Sequence, residues 1–237
     1  MDQGAQDFWL DQLGAAHRFN AWVFSRFRRY LGLNVLEVGC GSGNFTTLIA
    51  AGGHKVTGCD LHAPYVAIAR ERLASYPEAR VVCADATQAD FAGGYDTVVL
   101  LDVLEHIEDD VGFLARLRAT LIPGGRIILK VPANRWLFCG MDTAIGHYRR
   151  YDKSSLRDTL RAGGFEVVEQ LHFNAFAAFG WFLNGKILQR TTPPAEQLAA
   201  FERLVPLFRF VEGAGRMPFG ISLIAVGEVP GGAVATA

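Results

Sequence analysis

Residues 35–45 read Val35-Leu36-Glu37-Val38-Gly39-Cys40-Gly41-Ser42-Gly43-Asn44-Phe45, an apolar strand running into alternating glycines and then into a helix. Glycine lets such a turn adopt unusual dihedrals and lets a ligand approach the backbone closely, beside the positive end of the following helix. Two phosphate-binding patterns do not fit. Asn44 stands where the dinucleotide fingerprint wants its third glycine, and no Lys-Ser/Thr follows as a P-loop requires. Glu37, two residues before the first glycine, would repel a pyrophosphate and suits a cationic ligand instead.

Working outward from this turn, apolar runs alternate with helical ones. Val35–Val38, Lys55–Cys59, Arg80–Ala84, Tyr95–Leu101 and Gly125–Val131 read as strands, with helices over Phe45–Ala51, Ala63–Ser75 and about Asp110–Leu121. Apolar strands separated by helices predict a parallel sheet covered on both faces, with right-handed crossovers and ligands at the carboxyl ends of the strands. Beyond Val131 the rhythm breaks. Residues 132–151 have no clear period and read as a loop or lid insert. Ser154–Ala162 reads as a helix, and Phe165–Leu171 with Gly220–Val226 as an antiparallel pair at one sheet edge. The fold class expected is α/β, a doubly wound Rossmann-like seven-stranded sheet, mostly parallel with an antiparallel last strand. Residues 1–34 form an N-terminal helical cap, amphipathic over 16–31. Residues 35–230 form the main domain, with a helical insert at 173–218, and 231–237 a flexible tail.

Composition narrows the function. The chain has 237 residues, half of them apolar, and a formal net charge of -1. That balance removes the electrostatic attraction that dominates nucleic-acid affinity, so no nucleic-acid partner is expected. No stretch approaches the length of a membrane span, and the start lacks signal-peptide character. The four cysteines form no CxxC pair and read as reduced thiols of a cytoplasmic protein. No His, Cys or acid cluster has metal-ligand spacing in sequence, so no metal is expected.

The 35–45 segment resembles motif I of class I S-adenosylmethionine (SAM)-dependent methyltransferases, and further motifs follow in register. Asp60 ends the second strand, Asp85 the third in Cys83-Ala84-Asp85-Ala86, Tyr95–Ile107 resembles the fourth-strand motif, and Leu121-Ile122-Pro123-Gly124-Gly125 the turn before the fifth. The resemblance implies SAM as cofactor, bound by Glu37, Gly39, Cys40, Gly41, Gly43, Asp60, Leu61, Asp85, Ala86, Leu101 and Asp102. In it Asp60 holds the ribose hydroxyls and Asp85 the adenine amino group.

Methyl transfer is an in-line displacement in which positioning supplies much of the rate, and a base is needed only when the acceptor carries a proton. The run Gly146-His147-Tyr148-Arg149-Arg150-Tyr151 is similar to bacterial members of the methyltransferase type 11/12 group. His147 is the first candidate base, with Tyr148 and His106 as further catalytic candidates and Arg149, Arg150 and Tyr151 as acceptor-binding ones. The bland alternative pairs the arginines with acids such as Asp142 or Asp152. Phe173, Phe176, Phe179, Trp181 and Phe182 read as core or dimer interface rather than an acceptor pocket, and Asp96 as a structural acid remote from the site. The expected function is transfer of the sulfonium methyl to an O or N atom of a small-molecule acceptor, with secondary metabolism as one setting, by a monomer or homodimer without membrane insertion. Rivals are a nicotinamide oxidoreductase, disfavoured by Asn44, and a SAM-binding lyase, cyclase or regulatory protein that transfers no methyl.

Overall fold

The computed structural model describes residue 14, residues 16–213 and residues 217–231. Among these, seven strands form one sheet in the order β3-β2-β1-β4-β5-β7-β6. Strands β1 (Asn34–Val38), β2 (Lys55–Asp60), β3 (Ala79–Cys83), β4 (Tyr95–Leu101) and β5 (Leu121–Pro132) run parallel. Strand β7 (Ser222–Glu228) lies antiparallel between β5 and β6 (Glu166–Phe173). This is the expected mixed architecture. β5 starts earlier than Gly125 because Leu121 pairs with Tyr95 before the register shifts.

The helices are α1 (His17–Phe27), α2 (Asn44–Ala51), α3 (Ala63–Arg72), α4 (Asp110–Arg118), α5 (Gly140–Ala144), α6 (Lys153–Ala162), α7 (Ala175–Trp181) and α8 (Ala195–Gly213). Strand side chains alternate between faces, and the period of two divides the core. Leu36, Val98, Leu100, Ile127 and Leu129 meet Phe113, Leu114 and Leu117 of α4 and Leu156 and Leu160 of α6. Val35, Val99, Ile128 and Val226 meet Trp22, Val23 and Phe27 of α1, Ile49 of α2, and Val66 and Ala69 of α3. Each fully buried leucine or isoleucine contributes about 1.5–3 kcal/mol through removal from water, so the two layers lock the sheet from both sides.

Register brings the functional edge together. Val38 lies beside Cys59 and Leu100, and Asp60 beside Cys83, so the loops after β1, β2, β3 and β4 leave the sheet at one end. Asp96 stands at the opposite end of β4, where Oδ2 accepts from the Leu33 and Asn34 N–H groups at 2.8 and 2.9 Å.

The two inserts cover that functional edge. Residues 132–151 contain a 3₁₀ turn at Arg135–Leu137 and the short helix α5, where sequence had offered no period. Leu137, Met141, Asp142, Arg150 and Tyr151 are buried, so this segment packs as part of the fold. The segment closes on itself at a bridge between Ala133 and Tyr151, with Tyr151 N–H donating to the Pro132 carbonyl and Asn134 N–H to the Tyr151 carbonyl. The second insert holds α7, a π-helical turn at Phe182–Ile187, and α8. Helix α8 caps two other helices: Glu202 accepts from the Arg18 and Phe19 N–H groups at the start of α1, and buried Glu212 from those of Asn174 and Ala175 at the start of α7. None of the described helices is long and apolar enough to cross a membrane. Residues 1–13 of the expected cap, and the expected tail after Gly231, lie outside the described residues.

Candidate functional site

The turn after β1 is built by backbone geometry. Gly39, Gly41 and Gly43 have φ of 75°, 51° and 83°, left-handed values that favour glycine. A Cβ on Gly39 would run into Cγ2 of Val103, and one on Gly43 would sit 3.0 Å from Cβ of Ala69 in α3. Gly39 N–H and Cys40 N–H both donate to the Cys59 carbonyl, tying the turn to the end of β2. Asp60 completes the tie: Oδ2 accepts from Gly41 N–H at 2.8 Å and Oδ1 from His62 N–H at 2.9 Å.

Glu37, buried under this turn, accepts from the Thr46 hydroxyl at 2.6 Å. Burial pushes its carboxyl up to about 8, with Asp60 adding to the rise and the Thr46 bond opposing it. At the end of β3, Asp85 Oδ1 accepts from both the N–H and the hydroxyl of Thr87, at 2.9 and 2.8 Å.

These groups line one end of a cavity of about 1230 Å³. Single-ligand pockets run to roughly 1,000 Å³, so the volume admits two small ligands side by side. Glu37, Gly39, Cys40, Gly41, Asp60, Leu61, Asp85, Ala86, Leu101 and Asp102 all line it. Gly43 does not; it packs against α3. Burial and the carboxylate of Glu37 push the Cys40 thiol far above its usual range, so Cys40 is an inert wall.

The other end of the cavity is histidine-rich and aromatic. Its wall includes His106, His147, Met141, Ile145, Arg150, Phe176, Trp181, Phe201 and Phe208. Phe173 instead is core, while Phe179 and Phe182 are exposed. Asp142 organises the polar part: Oδ1 accepts from His147 Nδ1 at 2.9 Å and from Arg150 Nε at 2.8 Å, and Oδ2 from Cys139 N–H at 2.9 Å. Burial raises the Asp142 carboxyl, but the bonds from His147 and the Arg150 charge outweigh it and hold it below its usual range. An ionised Asp142 fixes the His147 proton on Nδ1, leaving the lone pair on Nε2. His106 packs edge-on against His147 with ring centroids 4.7 Å apart. Burial and the neighbouring imidazole push His106 down to about 4, so its ring is neutral at pH 7.

Arg150 also donates to the Ala133 carbonyl and lies 4.6 Å over the Trp181 ring, which fixes the aromatic wall. Arg149, Tyr148 and Tyr151 are absent from the wall. Arg149 pairs with Asp110 at 2.9 Å, Tyr151 donates to the same Asp110 at 2.7 Å, and Tyr148 is 55% exposed. Three groups at this end go beyond the site residues named from sequence. Lys130, buried on β5, pairs with Asp102; a lysine within Ile127-Ile128-Leu129-Lys130-Val131 was the available signal. Fully buried Glu105 carried no sequence signal of its own, because its meaning depends on which side chains the fold sets beside it, whereas Asp142 is an acid the arginine-pairing alternative named, and Arg150 does pair with it.

Comparison with known proteins agrees with this geometry. A family model described as a methyltransferase domain matches residues 36–127. The chain is 33% identical over 154 residues to a Mycolicibacterium smegmatis protein named "Probable S-adenosylmethionine-dependent methyltransferase", covering 63% of this chain and 58% of that protein. It is 32% identical over 142 residues to the ubiquinone biosynthesis O-methyltransferase of Cronobacter sakazakii, covering 54% of this chain and 58% of that one. The chain thus spans less than two thirds of these relatives. Among solved structures, a Haloferax volcanii methyltransferase in complex with the Trm112 methyltransferase activator superposes with a TM-score of 0.67 at 19% identity, covering 97% and 98% of the two chains. Motif, topology and sequence likeness therefore converge in support of a class I methyltransferase that uses S-adenosylmethionine, which this chain resembles most directly over residues 36–127.

Proposed function

We propose that this chain transfers the methyl group of SAM to an oxygen or nitrogen of a small, largely apolar acceptor. The observation that carries the reading is the single cavity that runs from the acid-rimmed glycine turn to the histidine and aromatic wall. The residues fit the cofactor. The close approach permitted at Gly39, the buried acid Glu37 and the oriented carboxylates of Asp60 and Asp85 suit an amino acid ammonium, a ribose diol and an adenine amino group in turn. When bound, SAM supplies an electrophilic methyl on a positively charged sulfur.

The chain's own contribution is alignment and proton management. Phe176, Trp181, Phe201 and Phe208 exclude water and orient an apolar acceptor body, so that the reacting atoms meet in line. For a hydroxyl acceptor, the Nε2 lone pair of His147 is the available proton acceptor, held in the right tautomer by Asp142. Neutral His106 beside it adds no competing charge. The relatives named for ubiquinone biosynthesis support a small acceptor that carries a hydroxyl. The free cysteines, with Cys59 pushed up to about 11 by burial and Asp60, support a reducing, cytoplasmic setting.

The test is calorimetric titration with SAM, S-adenosylhomocysteine and NAD, followed by a panel of phenolic and amine acceptors with labelled methyl SAM. Micromolar binding of the first two, none of NAD, and label in a small acceptor are expected. Binding of NAD alone, or SAM binding with no label transferred to any acceptor, would defeat the reading.

A further inference from the structure

Among the described residues, Glu105 is the one cavity-wall acid whose oxygens receive no hydrogen bond. Asp102 pairs with Lys130, and Asp142 with Arg150. Glu105 is fully buried, and no other described residue donates to either of its oxygens within hydrogen-bonding geometry. A carboxyl buried without donors leaves about 1–3 kcal/mol of hydrogen bonding unmade, a cost that a bound cation would offset. His147 Nε2 lies 3.7 Å from Glu105 Oε1. One ligating atom each from Glu105, His106 and His147 lie within 4.8 Å of one another. A tetrahedral zinc ion, whose ligand atoms stand roughly 3.4 Å apart, would need side-chain rotation to close that spread.

The surroundings are those of a metal site. Metal-binding imidazoles normally donate their other N–H to a carboxylate or a backbone carbonyl. His147 Nδ1 is held by Asp142, and His106 hydrogen-bonds the Gly146 backbone. Two imidazoles and one carboxylate favour a borderline first-row divalent ion over magnesium, and three protein ligands leave a coordination position free. All three residues belong to the wall of the cavity.

We propose that Glu105, His106 and His147 bind a divalent cation of the zinc type, whose open position takes the acceptor's hydroxyl. The proposal rests on the methyl-transfer reading above and refines it: the His147 lone pair serves the cation, and the cation acidifies the hydroxyl. The hydroxyl loses its proton to solvent and its oxygen bonds the methyl carbon. The S–CH₃ bond breaks with its electron pair retained by sulfur, S-adenosylhomocysteine leaves, and the cation keeps its charge throughout.

Chelator-dialysed full-length protein titrated with ZnCl₂ tests this, with metal content measured after gel filtration and S-adenosylhomocysteine titrated in parallel. One tight equivalent of zinc is expected, with MgCl₂ binding far weaker. Glu105→Gln should weaken zinc at least tenfold and Asp142→Asn about 10–100-fold, the effect expected for a residue orienting a ligand. S-adenosylhomocysteine affinity should stay unchanged in both. A wild-type protein that takes up no zinc, or a Glu105→Gln protein that binds it as the wild type does, overturns the site. The wild-type stoichiometry stands even if a variant fails to fold. Zinc bound at Glu105 without S-adenosylhomocysteine binding would keep the cation site and sink the methyltransferase reading, so the two failures are distinguishable.

Discussion

The two ends of the cavity treat their acids in opposite ways. At the glycine end each carboxylate is held by neutral donors, backbone N–H groups or a hydroxyl: Asp60 by Gly41 and His62, Asp85 by Thr87, Glu37 by Thr46. At the histidine end the acids are held by ionisable side chains, Asp102 by Lys130 and Asp142 by Arg150 and His147, and no described group donates to Glu105. The first end is a mould of backbone and hydroxyl donors set around its acids. The second is an electrostatic balance set by tertiary packing, and chemistry belongs where that balance is unfinished.

The contrast breaks most sharply at His147. His147→Ala should lower turnover on a hydroxyl acceptor by about 10²–10⁴-fold, the range for losing a group that activates the hydroxyl, whether directly or through the cation, with S-adenosylhomocysteine affinity within a factor of about three of wild type. Full turnover in the variant would mean that the histidine end is not the reacting end. Asp60→Ala should do the reverse and weaken S-adenosylhomocysteine by about 100-fold, since two charged hydrogen bonds to the turn, each of roughly 1.5–3 kcal/mol, vanish with the ligand's own. Calorimetry reads it directly.

Glu37 provides a test in pH. Its carboxyl is held at about 8, well above its ordinary 4.5, so without ligand it is protonated at neutral pH. A cationic ligand favours the ionised form. SAM affinity should therefore rise with pH by up to about tenfold per unit below 8 and level off above, with proton release visible in buffers of different ionisation enthalpy. The stability sign is opposite. Between pH 4.5 and 8 the folded state binds the proton more tightly than the unfolded chain, so the contribution of Glu37 to stability is full below 4.5 and is lost as pH rises through that window. Glu37→Gln should flatten both curves.

Glu212→Ala removes the cap of α7 and should cost about 1–2 kcal/mol in thermal or urea unfolding. Because α7 carries the aromatic wall, acceptor KM should rise more than cofactor Kd. Tyr148→Ala, outside the cavity wall, should change stability by less than about 0.5 kcal/mol and leave turnover intact. A large loss there would mean that the loop adopts a second arrangement during the reaction.

The same asymmetry governed what the sequence revealed. The mostly parallel sheet, the antiparallel last strand and the placement of Asp60 and Asp85 at strand ends were legible because they depend on period, on turn residues and on a sheet that projects parallel strand ends to one edge. Gly43 was read as a ligand contact, yet it packs against Ala69, because a glycine spacing does not say which of its members meets a ligand and which a helix. Arg149 and Arg150 are neighbours in the chain, but one reaches out to Asp110 and the other lies buried against Asp142. The helical content of 132–151 was hidden because its elements last about one turn, too short for any period to register.

The bridge between Ala133 and Tyr151 closes this segment at its own base. Its two ends meet at a single peptide pair on the rim of the sheet, so the chain between them can grow, shrink or be exchanged while the strands on either side keep their register. On the methyl-transfer reading, such an enclosed cassette, carrying the histidine and leaving the glycine turn untouched, would let the acceptor end be altered apart from the turn that holds the methyl donor. A graft of residues 134–150 from a relative would then redirect the enzyme, where a graft of the glycine turn would only disable it.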